Sequence, residues 1–311
     1  MADKLGTFYG VGVGPGDPEL LTLKAVRVLE SCPVLAAPQM ASGEMTALNI
    51  ARQAARLEGK SLLPLRFTMS RDREEQAEGH RRAADAVRPY LEAGQDVAMA
   101  ILGDVSIYST YCYVMELLKA EGFPCMMVPG VPSFCAVAAR LGRSLTEPDR
   151  PLHILPGGGP GLGEALDLPG SKVLMKAGRN HRQLLEELEA RELLGRAAMV
   201  ENCGLPEERT FADLTEKPDS KGYFTTVIIP YDMKTDGAPL GWSFGRTCRS
   251  TPERGDKENG YGTFCGGGAG RPRPDHPSGG GAAGPGGLCG VCREPGESGP
   301  AGPGPGGRPS I

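Results

Sequence analysis

Residues 8–22 constrain this chain more than any other stretch: Phe8-Tyr9-Gly10-Val11-Gly12-Val13-Gly14-Pro15-Gly16-Asp17-Pro18-Glu19-Leu20-Leu21-Thr22. An apolar run over 8–13 enters a Gly-Pro-Gly turn, and Asp17-Pro18-Glu19 then opens a helical pattern. The Asp17 carboxylate suits an N-cap, where it accepts free backbone N–H groups. Pro18 suits the first helical position, which needs no N–H. The segment reads strand, glycine turn, helix, the layout with which α/β proteins bring backbone close to a cofactor. It is not a dinucleotide fingerprint. Reading G-x-G-x-x-G from Gly10 puts Pro15 at the third glycine position, and reading it from Gly12 puts Asp17 there. The second strand, over 34–38, also ends without the acidic residue that would hold a ribose, and no Walker-type phosphate loop occurs.

Two later turns repeat the layout. Ala98-Met99-Ala100-Ile101-Leu102 runs into Gly103-Asp104-Val105-Ser106-Ile107-Tyr108-Ser109-Thr110, and Cys125-Met126-Met127-Val128 runs into Pro129-Gly130-Val131-Pro132-Ser133-Phe134. Each reads as an apolar strand, a glycine turn and the start of a helix. Three such strand ends would line one edge of a parallel sheet, where ligands bind in these folds. With these three motifs in this order, over about residues 5–231, the chain resembles the tetrapyrrole (corrin/porphyrin) methylases. The family pattern is a GxGPGDPxLLT start, a GDPxxYS turn and a VPGxxS turn. Val105 departs from it, standing where the family carries proline. The form of the second turn is most similar to the C20-methyltransferase branch, which acts on precorrin-2 or its cobalt counterpart.

The remaining composition sets the bounds. The chain has 311 residues and a formal net charge of −4, which argues against a nucleic-acid partner, since those show a concentrated basic face. No apolar run is long enough to span a bilayer, and no charged start with an apolar follow-on marks a signal peptide. A cytoplasmic location is expected, with the nine cysteines reduced. Cys32, Cys112, Cys125, Cys135 and Cys203 read as small core residues. Residues 233–311 hold 23 of the 46 glycines and almost no aliphatic side chains, so that tail is expected to be disordered. Its Gly, Pro, Arg and Ala content fits out-of-frame translation of GC-rich DNA. Cys289-Gly290-Val291-Cys292 has metal-like spacing but lacks a second pair, and no metal is expected.

Periodicity gives strands at 8–13, 34–37, 61–66 and 97–102, with helices over 19–31, 44–57 and 73–91 between them. This first α/β set ends near 122. A second set opens with a strand at 125–128 and a helix at 133–141. Strands at 152–155 and 172–176, a helix at 180–190, a strand at 197–202 and a hairpin-like pair, 209–213 and 222–229, follow. The expected architecture is α/β: domains over 1–122 and 123–232 with a cleft between them, then the tail at 233–311.

The resemblance implies a class III methyltransferase fold, S-adenosylmethionine as cofactor, a tetrapyrrole acceptor and a homodimer. By the same resemblance Gly103, Asp104 and Val105, with Ser106, Ile107 and Tyr108, bind the methionine part and ribose. Ser133, Phe134, Met175, Lys176, Ala177, Asn202, Cys203, Thr225 and Thr226 surround the adenosine. Pro15, Gly16 and Asp17 sit by the cleft floor near the substrate. Taken alone, several of these residues have plainer readings: Asp104 as a helix cap, Tyr108 as a helix core residue, Ser133 as an N-cap and Lys176 as a snorkelling surface lysine. A many-carboxylate substrate calls for arginine forks, with Arg66 and Arg71 as candidates. Arg81 and Arg82, interleaved with Glu74, Glu75, Glu78 and Asp85, read as a solvated helix face. His80, His153, His181 and His276 are scattered, and none reads as a ligand or base. No proton acceptor stands out, nor does the choice between metal-free and cobalt-bearing substrate. Alternatives are a uroporphyrinogen-III or precorrin-4 methyltransferase, diphthine synthase, or an inactive cofactor-binding partner protein.

Overall fold

The strand β1 (Phe8–Gly12) belongs to a parallel five-stranded sheet with β2 (Val34–Pro38), β3 (Ser61–Leu65), β4 (Val97–Ile101) and β5 (Cys125–Val128), in which β4 is central. The order is β3-β2-β4-β1-β5, and every pairing is parallel. The computed structural model describes residues 4–231 other than 69, 71 and 221. Arg71 and the tail therefore lie outside the described residues. Helices α1 (Leu23–Ser31) and α2 (Thr46–Ala51) cover one face of this sheet, and α3 (Arg73–Glu92) and α4 (Thr110–Ala120) the other. Side chains in β4 alternate accordingly, Ala98 and Ala100 toward α1 and α2, Val97, Met99 and Ile101 toward α3 and α4. All five residues are buried, which is why this strand reads as one apolar run.

After α5 (Ser133–Leu141) comes a second sheet of β6 (Leu152–Pro156), β7 (Ser171–Met175), β8 (Ala198–Glu201), β9 (Arg209–Phe211) and β10 (Thr225–Ile229), with α6 (Leu162–Asp167) and α7 (His181–Ala190). Its order is β6-β7-β10-β8-β9. One face, with Val173, Val200 and Ile228, packs on Phe134 and Val137 of α5. The other, with Leu174, Met199 and Val227, packs on Leu184 and Leu188 of α7. Among the described residues no helix is long and apolar enough to cross a membrane.

Several expectations need correction. The strand 125–128 does not open the second set: it hydrogen-bonds to β1 and completes the first sheet. Strands 209–213 and 222–229 do not form a hairpin, because β8 lies between them. The helix expected over 19–31 is two pieces. Asp17 caps only a 3-10 turn at Pro18–Leu20, Leu21 and Thr22 are extended, and Thr22 Oγ1 accepts from Ala25 N at 3.1 Å to start α1. The helix expected over 44–57 shrinks to α2, and α6, between the strands expected at 152–155 and 172–176, is an addition.

Candidate functional site

Strand order explains why the three glycine turns matter together. Strands β4, β1 and β5 are neighbours, so their C-terminal turns lie side by side. The turns are in backbone contact. Gly14 N donates to Gly103 O at 3.2 Å, and Gly103 N donates to Gly14 O at 2.7 Å. A Cβ on Gly12 would stand 2.6 Å from Gly130 N and 2.8 Å from Gly103 O, so only glycine fits there. Gly103 differs: its φ is +75°, a conformation side chains rarely adopt, while a Cβ would make only ordinary contacts, nearest to Ser133 N at 3.9 Å and Val131 O at 4.0 Å.

Asp104 ties the turns together. Its Oδ1 accepts from Ser106 N at 2.8 Å and Ser106 Oγ at 2.5 Å, and its Oδ2 accepts from Gly130 N at 2.9 Å. Burial opposes ionisation, but the donors from Ser106, Gly130 and Val105 outweigh it and hold the carboxyl below its ordinary value. No helix starts at Val105; α4 begins at Thr110, capped by Ser109 Oγ on Tyr111 N at 3.2 Å. Asp104 is thus a turn brace across 26 residues of chain, not a helix cap.

Register assembles the second half of the site. Strand β10 runs antiparallel to both neighbours, pairing Thr226 with Met175 and Thr225 with Glu201. Its start therefore lies beside the ends of β7 and β8, which brings Met175, Lys176, Ala177, Asn202, Cys203, Thr225 and Thr226 to one edge. The two halves meet here. Ser133 Oγ lies 3.4 Å from Thr226 Oγ1, and Tyr108 OH donates to Ile154 O at 3.2 Å. Lys176 Nζ donates to Tyr108 O at 3.2 Å and sits between the rings of Tyr108 and Tyr223, 5.8 and 5.5 Å from their centroids. A Cβ on Gly16 would meet Cys203 O at 2.6 Å, and one on Gly204 would meet Asp17 N at 2.6 Å. So Gly16 and Asp17, next to Pro15 in the chain, abut the second half, with Asp17 Oδ1 accepting from Glu19 N at 2.9 Å.

Three of the five non-glycine residues with positive φ among the described residues lie at the same place, Glu192 and Lys217 being the others. Tyr108, Lys176 and Asn202 have φ of 49°, 58° and 51°, a region that costs side-chain-bearing residues about 1–2 kcal/mol each. Such strain clusters at ligand sites because the surroundings must hold it.

Not every candidate offers its side chain. Val105, Phe134 and Cys203 are buried in hydrophobic clusters, so only their backbone can meet a ligand. Thr225 is fully buried and its Oγ1 donates to Gly222 O at 2.7 Å. Ile107 packs on the α5 cluster. Tyr108 is 46% exposed, not a core residue, and Ser133 is the first residue of α5 rather than its cap. Arg66 stands at the end of β3, its Nε donating to Gln39 Oε1 at 3.0 Å; Arg81 and Arg82 pair with Glu78. Gln39, whose Nε2 also donates to Gly43 O at 3.1 Å, carried no signal of its own beyond following a strand. Adjoining glycine turns and left-handed strand ends fit a cofactor bound largely by backbone and shape. The described residues contain no cluster of three or more His, Cys, Asp or Glu able to hold a metal.

The profile of the tetrapyrrole (corrin/porphyrin) methylases matches residues 7–218. Cobalamin biosynthesis protein CobIJ of Mycobacterium tuberculosis is 33% identical over 72% of this chain; the match spans 46% of that protein, about half its length. Cobalt-precorrin-2 C(20)-methyltransferase of Salmonella typhimurium is 31% identical over 72% of this chain and 96% of its own length. Precorrin-4 C(11)-methyltransferase of Rhodococcus erythropolis is 31% identical over 79% of this chain and 99% of its own length. Among solved structures, uroporphyrin III C-methyltransferase of Thermus thermophilus matches with a TM-score of 0.53 at 27% identity, over 72% of this chain and 97% of that one. Adjoining glycine turns, strained strand ends and these relatives agree: the chain belongs to the tetrapyrrole (corrin/porphyrin) methylases, a family of S-adenosylmethionine-dependent methyltransferases.

Proposed function

We propose that this chain methylates C20 of precorrin-2 or its cobalt-bearing counterpart, using S-adenosylmethionine. The observation that carries this reading is the turn Gly103-Asp104-Val105-Ser106-Ile107-Tyr108-Ser109-Thr110, braced by Asp104 onto the Gly130 turn. The C20-methyltransferase relatives from Salmonella typhimurium and Sinorhizobium sp, each matched over 96% of its length, support it.

The cofactor supplies a methyl group already activated on a sulfonium, so this chain's residues have to bind, orient and shield rather than attack. Gly103 to Tyr108 present backbone and the Ser106 hydroxyl to the methionine and ribose. Met175, Lys176, Ala177, Asn202, Cys203, Thr225 and Thr226, with Ser133 and Phe134, enclose the adenosine, several of them by backbone alone. Arg66, and Arg71 beyond the described residues, meet substrate carboxylates, while Pro15, Gly16 and Asp17 support the macrocycle. In the reaction a C20–methyl bond forms, the methyl–sulfur bond breaks, and C20 then loses its proton. The two α/β halves, with β5 in the first, are proposed to work as one cytoplasmic, homodimeric enzyme, with 233–311 dispensable.

A second reading, C11 methylation of precorrin-4, is favoured by the Rhodococcus relative. Incubation of the purified chain with S-adenosylmethionine and, side by side, precorrin-2, cobalt-factor II and precorrin-4 separates them by mass spectrometry. One added methyl on either of the first two, located at C20 by carbon-13 labelling, is expected. Methylation of precorrin-4 alone selects the second reading. No methylation, with the cofactor bound, points to an inactive binding protein.

A further inference from the structure

We infer that Glu201 is a positioning residue, whose buried carboxylate fixes the backbone of the adenosine side of the site. The inference rests on the cofactor reading above. Glu201 ends β8 and is only 4% exposed. A carboxylate so far from water persists only where donors replace its hydration.

Those donors come from segments that shape the site. Arg209 Nε, on β9, donates to Glu201 Oε2 at 2.6 Å. Ser220 Oγ donates to Oε1. Arg209 Nη2 donates onward to Asp219 O at 2.6 Å. The ion pair therefore grips the start of the connection into β10 at Asp219 and Ser220, and Thr225 closes its finish onto Gly222. Between them Gly222 O accepts from Thr225 Oγ1 and lies so close to Gly178 that a Cβ there would collide with it. Phe224 O accepts from Asn202 N at 2.9 Å, holding Asn202 in its left-handed conformation.

Three loop ends thus share one anchor. Asn202 follows Glu201 directly, Thr225 and Thr226 follow the gripped connection, and Gly178 lies two residues past Lys176. Glu201 acts through them.

The test compares Glu201→Gln, which keeps the shape but loses the charge holding Arg209, with the wild-type chain. Affinity for S-adenosylhomocysteine is read by calorimetry, and melting temperature in parallel. Val87→Ala, in the α3 packing of the other sheet, serves as a control for destabilisation. The expected result is a dissociation constant raised by about tenfold or more in Glu201→Gln, with Val87→Ala staying within about twofold of wild type despite losing thermal stability. Ser220→Ala, lacking one donor, shifts affinity in the same direction by less, and carries the test should Glu201→Gln not fold. Binding within about twofold of wild type in Glu201→Gln, or in Ser220→Ala where that variant must stand in, overturns the positioning role. A wild-type chain that binds no S-adenosylhomocysteine overturns the cofactor reading first, and this inference with it.

Discussion

Gly130→Ala is a one-methyl change with a calculable consequence. The added Cβ would run into Gly103 O and stand 2.8 Å from both Gly12 Cα and Gly12 C, whereas carbon–oxygen contacts ordinarily begin at about 3.3 Å. The obstacles are backbone, not flexible side-chain ends. Moving Gly103 away strains its paired bonds with Gly14, 2.7 and 3.2 Å long, and moving Gly130 strains the 2.9 Å bond to Asp104. Overpacking of this kind costs about 1–3 kcal/mol, and each weakened hydrogen bond adds about 1 kcal/mol. The sum is about 2–5 kcal/mol, the lower half if Gly130 moves and one bond weakens, the upper if Gly103 moves and two do. Gly142→Ala is the comparison: at φ 61°, with nothing within 4 Å of its Cβ, it pays only the left-handed cost of about 1–2 kcal/mol. Urea unfolding gives the stabilities, and titration with S-adenosylhomocysteine gives the affinities. Gly130→Ala is expected to lose the larger amount and about tenfold or more in affinity; Gly142→Ala is expected to keep its affinity. Equal stability losses in the two variants, or unchanged binding in Gly130→Ala, would refute the close-packed-turn argument.

Asp104→Asn turns an amide N–H₂ toward a donor on Ser106 or Gly130 and is expected to cost about 2 kcal/mol in urea unfolding, within the range for bonds to a charged group. The Asp104 carboxyl titrates below its ordinary value of 3.8, so its stabilisation is complete above that value and fades as pH falls through the lower folded one; the gap between wild type and Asp104→Asn should be constant from about pH 6 to 8 and close in acid. A chain truncated after Asp232 is expected to keep the melting temperature and methyl-transfer rate of the full chain, because the Gly/Pro-rich tail lacks the apolar side chains to add to a core; a clear loss of either would show that it packs. Light scattering on that truncated chain is expected to give a dimer, and a fully active monomer at micromolar concentration would contradict it.

The three glycine turns were legible in the sequence because each needs residue types that strands and helices avoid. Their adjacency was not. It follows from the order β3-β2-β4-β1-β5, set by crossover connections whose path no local pattern records. Cys125–Val128 illustrates this: nothing in Cys-Met-Met-Val says which sheet it joins, and its pairing partner Phe8–Val11 lies more than a hundred residues earlier. The pairing of 209–211 with β8 rather than with 225–229 was hidden for the same reason, since adjacency in sequence favoured a hairpin. Asp104 looked like a helix cap because its partner Gly130 is remote, and Glu201 drew no notice because Arg209 and Ser220 carry no fixed spacing to it. The left-handed conformations of Lys176 and Asn202 were equally invisible, as neither is glycine.

On the proposed reading, the glycine turns of the first sheet and the strand ends of the second enclose one cofactor. A crystal structure of the chain grown with S-adenosylhomocysteine tests it most directly. The methionine part is expected against Gly103 to Ser106 and the adenosine among Lys176, Asn202 and Thr226. The ligand seated away from the Gly103 turn, or a chain that takes up none at saturating concentration, would contradict it.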